Sequence, residues 1–278
     1  MCWKRCIPGI CILGIDIMKS CMISFLVPTL GERKEEIERL LNSLEEQSVK
    51  DFEIIFVDQS NDHSIEKITE PYRGSMKIKN IYLDVKGLSN ARNVGLKYCS
   101  GEIIVLSDDD CWYPNDSAEN ISKAFLSTNT DVLLTQIYDP NIREKYKCYD
   151  KKIRRIKSKW SLFSRSSIEI AFKNKEIELF DVNFGVGGKF PCCEEVDYLI
   201  RLKDKEKIIT YIPMITVFHN KKKRNISPEW IEAKGALYAK HFGLIVSLIV
   251  LIRDLVLKRQ NNFKSFFAGQ GKYRNNNF

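Results

Sequence analysis

Residues 87–114, GLSNARNVGLKYCSGEIIVLSDDDCWYP, decide the fold. Residues 88–98 have the spacing of a helix, Gly101 breaks it, and residues 102–106 are a short, largely β-branched run that reads as a buried strand. That strand runs through Ser107 straight into Asp108-Asp109-Asp110. Three carboxylates at the end of a buried strand repel one another unless a hard divalent cation, itself gripping a diphosphate, neutralises them. The plainer reading is a solvated acidic turn ahead of the helix expected from Asp116. The strand-end position favours the metal.

Working outward, the same alternation recurs. Residues 23–27 form a β-rich run ended by Pro28-Thr29-Leu30-Gly31, and residues 32–47 place Ile37, Leu40, Leu41 and Leu44 on one helical face. A second strand, 52–57, ends at Asp58 and is followed by a polar segment and a helix that stops near Pro71; a third strand spans 78–83. Downstream, a helix over 116–127 and a strand over 132–136 continue the pattern. It breaks from 139 to 175 into a charged, aromatic-punctuated stretch read as an insertion or acceptor-facing region. Order returns with 180–190, which includes Gly185-Val-Gly187-Gly188, then a helix over 194–205 and strand material over 208–219. Short strands alternating with helices predict an open, mostly parallel α/β sheet in one domain, residues 22–220. In such sheets ligands bind beyond the carboxyl ends of the strands, where Thr29, Asp58 and Asp108 to Asp110 all fall.

The chain has 278 residues, 44% of them apolar and 29% charged, which excludes a disordered chain and an ordinary multi-span membrane protein. Its net charge of +8 is unevenly placed. From His219 to the C-terminus there are 12 Lys or Arg against 3 Asp or Glu, and over 143–160 there are 9 against 2, so the other 200 residues carry about −8. The basic region 221–278 is expected to be helical and amphipathic and to sit on an anionic membrane, because 244–252 is apolar apart from Ser247 and is followed by Arg253, Lys258 and Arg259. A buried core helix with a solvated tail is the plainer alternative. Nucleic-acid binding is not expected, since the aromatic spacing and fold signals of such modules are missing. Residues 1–21 form an N-terminal extension with an apolar run well short of the roughly 20 residues a spanning helix needs. Translation starting at Met18 or Met22 is the preferred reading. Nine cysteines with no paired CxxC spacing fit a reducing compartment better than disulfides or zinc.

Other residues carry possible chemistry. Asp58 can accept hydrogen bonds from a base or ribose, or cap the next helix. Arg92, in Asn90-Ala-Arg92-Asn93, can face a phosphate or stabilise the acidic edge, and a surface salt bridge is the plainer reading. Glu194-Glu195-Val-Asp197 opens a helix, and one of its carboxylates could remove the proton of an attacking hydroxyl. Acidic first-turn residues are also ordinary partners of the helix dipole.

Taken together, VPTLGE, FEIIFVDQSND, GLSNARNVGLKYCSGEIIVLSDDDCWYP and FDVNFGVGGKFPCCEEVDYLIRL resemble the inverting family-2 glycosyltransferases of the GT-A fold, over about residues 23–219. The resemblance implies transfer of a sugar from a nucleotide diphosphate sugar, with inversion, to a lipid-linked or polysaccharide acceptor in capsule, O-antigen or exopolysaccharide synthesis. It implies Pro28 and Thr29 against the base, Asp58 on base or ribose, Arg92 near the nucleotide, and Asp108 in the nucleotide-sugar site. It further implies Mn2+ or Mg2+ held by Asp109, the foremost direct ligand, with Asp110, and with His219 near the metal and phosphates. Glu195 matches the general base, with Glu194 beside it as the other candidate. A cytoplasmic protein, peripheral on the inner face of the cell membrane, follows from the same reading.

Two other functions fit parts of the chain. A sugar nucleotidyltransferase also uses an α/β sheet and acidic metal ligands, but its Gly-rich phosphate loop is missing from Thr29-Leu-Gly31-Glu-Arg33. A catalytically silent nucleotide-sugar or membrane-binding adaptor has no need of both Asp109 and Glu195.

Overall fold

A computed structural model describes residues 22–222, 227–258 and 263–275. The N-terminal extension, with the start-site reading, lies outside the described residues.

The first half follows the sequence closely. Strands β1 (Ile23–Thr29), β2 (Phe52–Asp58), β3 (Lys77–Tyr82) and β4 (Ile103–Leu106) alternate with helices α1 (Lys34–Glu45), α2 (Ser64–Thr69), α3 (Leu88–Leu96) and α4 (Ser117–Ser127). All seven residues of β1 are buried, as a strand covered on both faces must be. The β1–β4 register stops at Leu26↔Leu106, so Pro28, which has no N–H to give, lies beyond the last rung on that side. Helix α1 turns Ile37, Leu40, Leu41 and Leu44 into the core. Helix α3 lies so close to the sheet that a Cβ on Gly95 would stand 2.3 Å from Leu26 Cδ1 and 2.7 Å from Val57 Cγ2. A side chain there would force Leu26 and Val57, or α3 itself, to shift.

The second half departs from the expected pattern. It contains β5 (Val132–Asp139), β6 (Glu144–Lys145), β7 (Arg154–Arg155), β8 (Ile170–Lys173), helix α5 (Glu194–Asp204) and β9 (Ile209–Phe218). The strand order is β3-β2-β1-β4-β8-β5-β9-β7, with β6 paired to β5. Strand β5 does not continue the parallel run beside β4; β8 stands between them, antiparallel to both. The sheet is therefore mixed, with four parallel and four antiparallel pairings among its described strands. The stretch 139–175 supplies β8 to the centre of the sheet, so it is not wholly an insertion. Between 180 and 190 there is no strand, only an isolated bridge from Phe184 to Phe190.

Strands β1 to β5 and β9 all point the same way, so Thr29, Asp58, Asp108 and His219 sit on one edge. Beyond β9 come α6 (Pro228–His241), α7 (Leu244–Lys258) and α8 (Phe263–Arg274). Packing is continuous across residue 220: Ala233, Ala236 and Leu237 of α6 share a core with Leu199 of α5 and Tyr211 of β9. Asp197 fastens α5 to α6, holding Arg201 Nε at 2.9 Å, Lys240 Nζ at 2.6 Å and His241 Nε2 at 2.7 Å. Among the described residues no helix is long and apolar enough to cross a membrane.

Candidate active site

The acidic run is held by its own turn and by β9. Cys111 N–H donates to the Asp108 carbonyl at 3.4 Å, and Trp112 and Phe218 exchange backbone hydrogen bonds of 3.1 and 2.7 Å. That bridge ties the turn to the last residue of β9 and sets His219 Nε2 3.1 Å from Asp110 Oδ1. Arg39 donates to the Asp110 carbonyl at 3.1 Å and lies over the Trp112 ring at 3.9 Å, bracing the turn from α1.

The three aspartates have different surroundings. Asp109 accepts from Thr29 Oγ1 at 2.7 Å and from Arg33 at 2.9 Å. Burial nevertheless raises its pKa above the ordinary value, against the pull of Thr29 and Arg33. Asp110 meets Arg33 at 2.9 Å, Lys222 at 2.7 Å and His219. Burial opposes its charge, but the bonds from His219 and Lys222 outweigh it and hold Asp110 well below the usual carboxylate range. Asp108 accepts from Arg92 at 3.1 Å and from Ser167 Oγ at 3.3 Å. Arg33, Lys222 and Ser167 were not singled out in the sequence. Arg33 alone carried a signal, a cation in the loop after β1.

Among the described residues no group of three His, Cys, Asp or Glu side chains is disposed to hold a metal ion. Asp110 Oδ1 and His219 Nε2 nevertheless have the separation of two neighbouring ligands on an octahedral ion with bonds of about 2.1 Å. A magnesium-like ion usually takes only one or two carboxylates and completes its shell with water and substrate phosphates. The donor set thus fits two protein ligands, Asp110 and His219. Asp109, expected as the foremost ligand, is bonded to Thr29 and shares Arg33 with Asp110, so it stays a candidate ligand beside that pair.

Asp58 ends β2 with one oxygen satisfied by Ser60 N–H at 2.8 Å and the other, Oδ2, buried without a partner. An unmet buried acceptor on the ligand edge suits a ligand N–H or O–H. Arg92 braces the acidic edge, one of the two roles open to it from the sequence. It is 0% exposed, and its two terminal nitrogens are taken by Asp108 and Glu194, each at 3.1 Å. Its neighbour Asn93 clamps the main chain at Phe180, donating at 2.8 Å and accepting at 2.7 Å. The two residues therefore join the strand-end aspartates to the segment leading into α5.

That segment is shaped by glycine. Gly185 has φ +101, a left-handed conformation, and a Cβ on it would meet Ser89 Oγ at 3.0 Å and Glu194 Cγ at 3.4 Å. Ser89 donates to the Phe184 carbonyl at 2.6 Å and Leu88 N–H to that of Val186 at 2.8 Å, which docks the loop on the start of α3. A cleft of about 330 Å³ lies here, lined by Val85, Gly87, Asn90, Val182 and Val186 among others.

Glu195, in the first turn of α5, is half-buried. Burial and the adjacent Glu194 carboxylate push it up to about 8, against the smaller pull of Arg92 and Lys147. Lys147 reaches this region from the stretch after β5, bonding the Ser164 carbonyl at 2.6 Å, Ser166 Oγ at 2.9 Å and Glu169 at 3.3 Å. Part of the basic segment thus folds back to the site. A carboxyl with raised proton affinity, next to a residue tied through Arg92 to the strand-end acidic run, is the combination expected of a proton acceptor beside a diphosphate site.

Similarity to known proteins agrees with this geometry. The sequence pattern of glycosyl transferase family 2 matches residues 24–193. The poly(ribitol-phosphate) β-N-acetylglucosaminyltransferase TarS of Staphylococcus aureus strain Mu50 is 31% identical over 124 residues, 43% of this chain and 22% of that protein. Glycosyltransferase GlyA of Streptococcus pneumoniae serotype 4 is 31% identical over 123 residues, 44% of this chain and 18% of that one. The chain thus spans about a fifth of the length of these curated relatives. Among solved structures, S. aureus TarS 1-349 in complex with UDP-GlcNAc has a TM-score of 0.65 at 20% identity, covering 91% of this chain and 80% of that one. Mannosyltransferase PcManGT from Pyrobaculum calidifontis, in complex with GDP-Man and Mn2+, has a TM-score of 0.58 at 16% identity, covering 81% and 64%. The match extends over more than half of the sequence and takes in the first three strand-end stations, from Thr29 through Asp58 to Asp110. The chain belongs to glycosyl transferase family 2.

Proposed function

We propose that this protein transfers a sugar from a nucleotide diphosphate sugar to a hydroxyl of a lipid-linked or polysaccharide acceptor, with inversion, in the synthesis of a surface polysaccharide. The observation that carries the reading is the Arg92 bridge from Asp108 to Glu194, which sets Glu195, its carboxyl raised by burial and by Glu194, one residue further along the same turn. In the charged state Glu195 accepts the proton of the acceptor hydroxyl as that oxygen attacks the anomeric carbon, and no covalent intermediate on the enzyme is required. Asp58 Oδ2 takes a donor hydrogen bond from base or ribose, with Pro28 and Thr29 beside it. Asp110 and His219 would hold Mn2+ or Mg2+, which when bound supplies positive charge to the departing diphosphate. Arg33 and Lys222 add two fixed cations at the same place. The exposed Val85, Val182 and Val186 line a surface for an acceptor with apolar character.

The relatives named above that act on or bind UDP-GlcNAc and GDP-Man support a nucleotide-sugar donor. The test is turnover of a panel of UDP-, GDP- and dTDP-sugars with Mn2+ or Mg2+, repeated on Asp110→Asn and Glu195→Gln. Donor turnover lost in both variants is the expected result; no donor bound or turned over under any metal condition rejects the reading, and metal-independent donor binding without turnover favours the adaptor.

A second reading concerns location. Helix α7 buries Val250 and Leu251 but leaves Ile245, Leu248, Ile249 and Ile252 exposed on one stripe. In a basic C-terminal region such a stripe suits the interface of an anionic membrane, and we place the protein on the inner face of the cell membrane.

A further inference from the structure

Two cysteines that the proposed reaction does not use stand directly before its base. Cys192 and Cys193 are consecutive, and their Sγ atoms lie 3.4 Å apart. They differ in access: Cys193 is buried, while Cys192 is half-buried, with its sulfur 3.9 Å from the Trp230 carbonyl. Contact with Cys192 and burial push the Cys193 thiol well above its ordinary range, so Cys192 is the sulfur a reagent meets first. Cys193 is also the residue at the N-terminus of α5 and takes a left-handed φ of +75. The next two residues are Glu194, which grips Arg92, and Glu195. A bond between the two sulfurs therefore acts on the first turn of α5.

We propose that Cys192 and Cys193 form a vicinal dithiol that small disulfides modify, closing it to an intramolecular disulfide that displaces the first turn of α5. The effect on turnover rests on the reading of Glu195 as base; the sulfur chemistry does not. Cys192, as thiolate, attacks one sulfur of an oxidised low-molecular-weight thiol such as glutathione disulfide and expels one glutathione thiolate. Cys193 then gives up its proton and attacks Cys192 Sγ in the mixed disulfide, expelling the second glutathione. Two protein thiols are oxidised and one glutathione disulfide is reduced to two thiols. Neighbouring Cα atoms are about 3.8 Å apart, closer than the roughly 4.4 to 6.8 Å of ordinary disulfides, so the ring is strained. A strained disulfide has an oxidising potential; it stays open at a reducing poise and reopens when that poise returns. The other described cysteines lack this arrangement: Cys99 and Cys111 are pushed up to about 12 by burial, and Cys148 is exposed.

The full chain is incubated with glutathione disulfide, alkylated and cut with trypsin. Cleavage after Lys189 and Arg201 releases residues 190–201, which hold both cysteines and no third. The expected peptide is lighter by two hydrogens and carries no alkyl group, and turnover falls on the order of 10²-fold, the scale of a roughly 1 Å misplacement of a catalytic group. Dithiothreitol restores both. Phenylarsine oxide, which bridges paired thiols, adds once to the same peptide of the reduced protein. Cys192→Ser abolishes arsenical addition and ring closure and leaves turnover indifferent to glutathione disulfide. A peptide that is alkylated twice, or that carries separate glutathiones, and takes no arsenical overturns the proposal. A ring that forms without change in turnover overturns its link to α5. A chain without glycosyl transfer but with the ring formed counts against the functional reading alone.

Discussion

Arg92 donates one terminal nitrogen to Asp108 and the other to Glu194, both at 3.1 Å, with the guanidinium wholly enclosed. It is thereby the joint between the end of β4 and the start of α5. A planar fork can serve two carboxylates at once, whereas an ammonium can address them only as a point charge. Arg92→Ala leaves the buried Glu194 carboxylate without its ion partner and is expected to cost about 3 to 5 kcal/mol in chemical denaturation. Arg92→Lys should cost less stability yet still lose most turnover, because only one of the two carboxylates stays placed.

The proton affinity of Glu195 sets a pH profile. With its carboxyl at about 8, kcat/KM should rise about tenfold per pH unit below that value and flatten above it. Removing the neighbouring like charge with Glu194→Gln should move this limb to lower pH. Glu195→Gln should lower kcat by about 10² to 10⁴. The same shift acts on stability. Between the ordinary value of 4.5 and about 8 the folded state keeps a proton that the unfolded chain releases, so the Glu195 contribution falls as pH rises across that window. A limb that stays put in Glu194→Gln would show that the two carboxylates are not coupled.

The strand ends were legible because β1, β2 and β4 are apolar-rich runs, interrupted only by Ser24 and Glu53, that each lead into a polar residue, and α1 because Ile37, Leu40, Leu41 and Leu44 repeat at helical spacing. Strand β8 was not. Its four residues, Ile170 to Lys173, are too short to show a period, and their antiparallel place is fixed by β4 and β5, far away in sequence. The partners of the acidic run were hidden for the same reason: Arg33 reaches Asp109 across 76 positions and Lys222 reaches Asp110 across 112. Arg92 was readable as a brace for the acidic edge, but that it also takes Glu194 follows only from the packing of α3 on the sheet.

Asp197 carries a stability prediction separate from catalysis. Burial works against its charge, yet His241, Lys240 and Arg201 together hold it down to about 2 from 3.8. A depressed carboxylate contributes stability above its unfolded value that is lost as pH falls through the folded one. The contribution is about 2 kcal/mol at neutral pH and should vanish between about pH 4 and pH 2. Asp197→Asn should lower the melting temperature at pH 7 and make little difference at pH 2; equal losses at both would show that Asp197 acts by packing alone.

The fixed cations at Asp110 predict an unusual metal response. Arg33 and Lys222 neutralise Asp110 without any ion, so a divalent cation must displace or coexist with them. Lys222→Ala should therefore tighten Mn2+ binding measured by calorimetry. His219→Ala, which removes one of the two donors spaced as neighbouring ligands, should weaken it by about tenfold, or ~1.4 kcal/mol. Both variants binding Mn2+ like the parent would place the ion elsewhere.

The stripe on α7 gives the membrane reading a direct test. Ile245 is 76% exposed and Ile249 60%, on the face opposite Val250 and Leu251, so a change there removes no core contact. Burying one such side chain in lipid contributes about 1.5 to 3 kcal/mol, so a charge in its place should weaken partitioning by tenfold or more. The protein is expected to sediment with vesicles containing anionic lipid and to release as salt rises, since the flanking Lys and Arg act through screened charge. Ile249→Asp should abolish sedimentation while melting at the parent temperature and keeping turnover on a soluble acceptor. Unchanged vesicle binding in Ile249→Asp together with Ile245→Asp would assign the stripe to something other than lipid, and a mass doubling in solution that these variants reverse would assign it to a second copy of the chain.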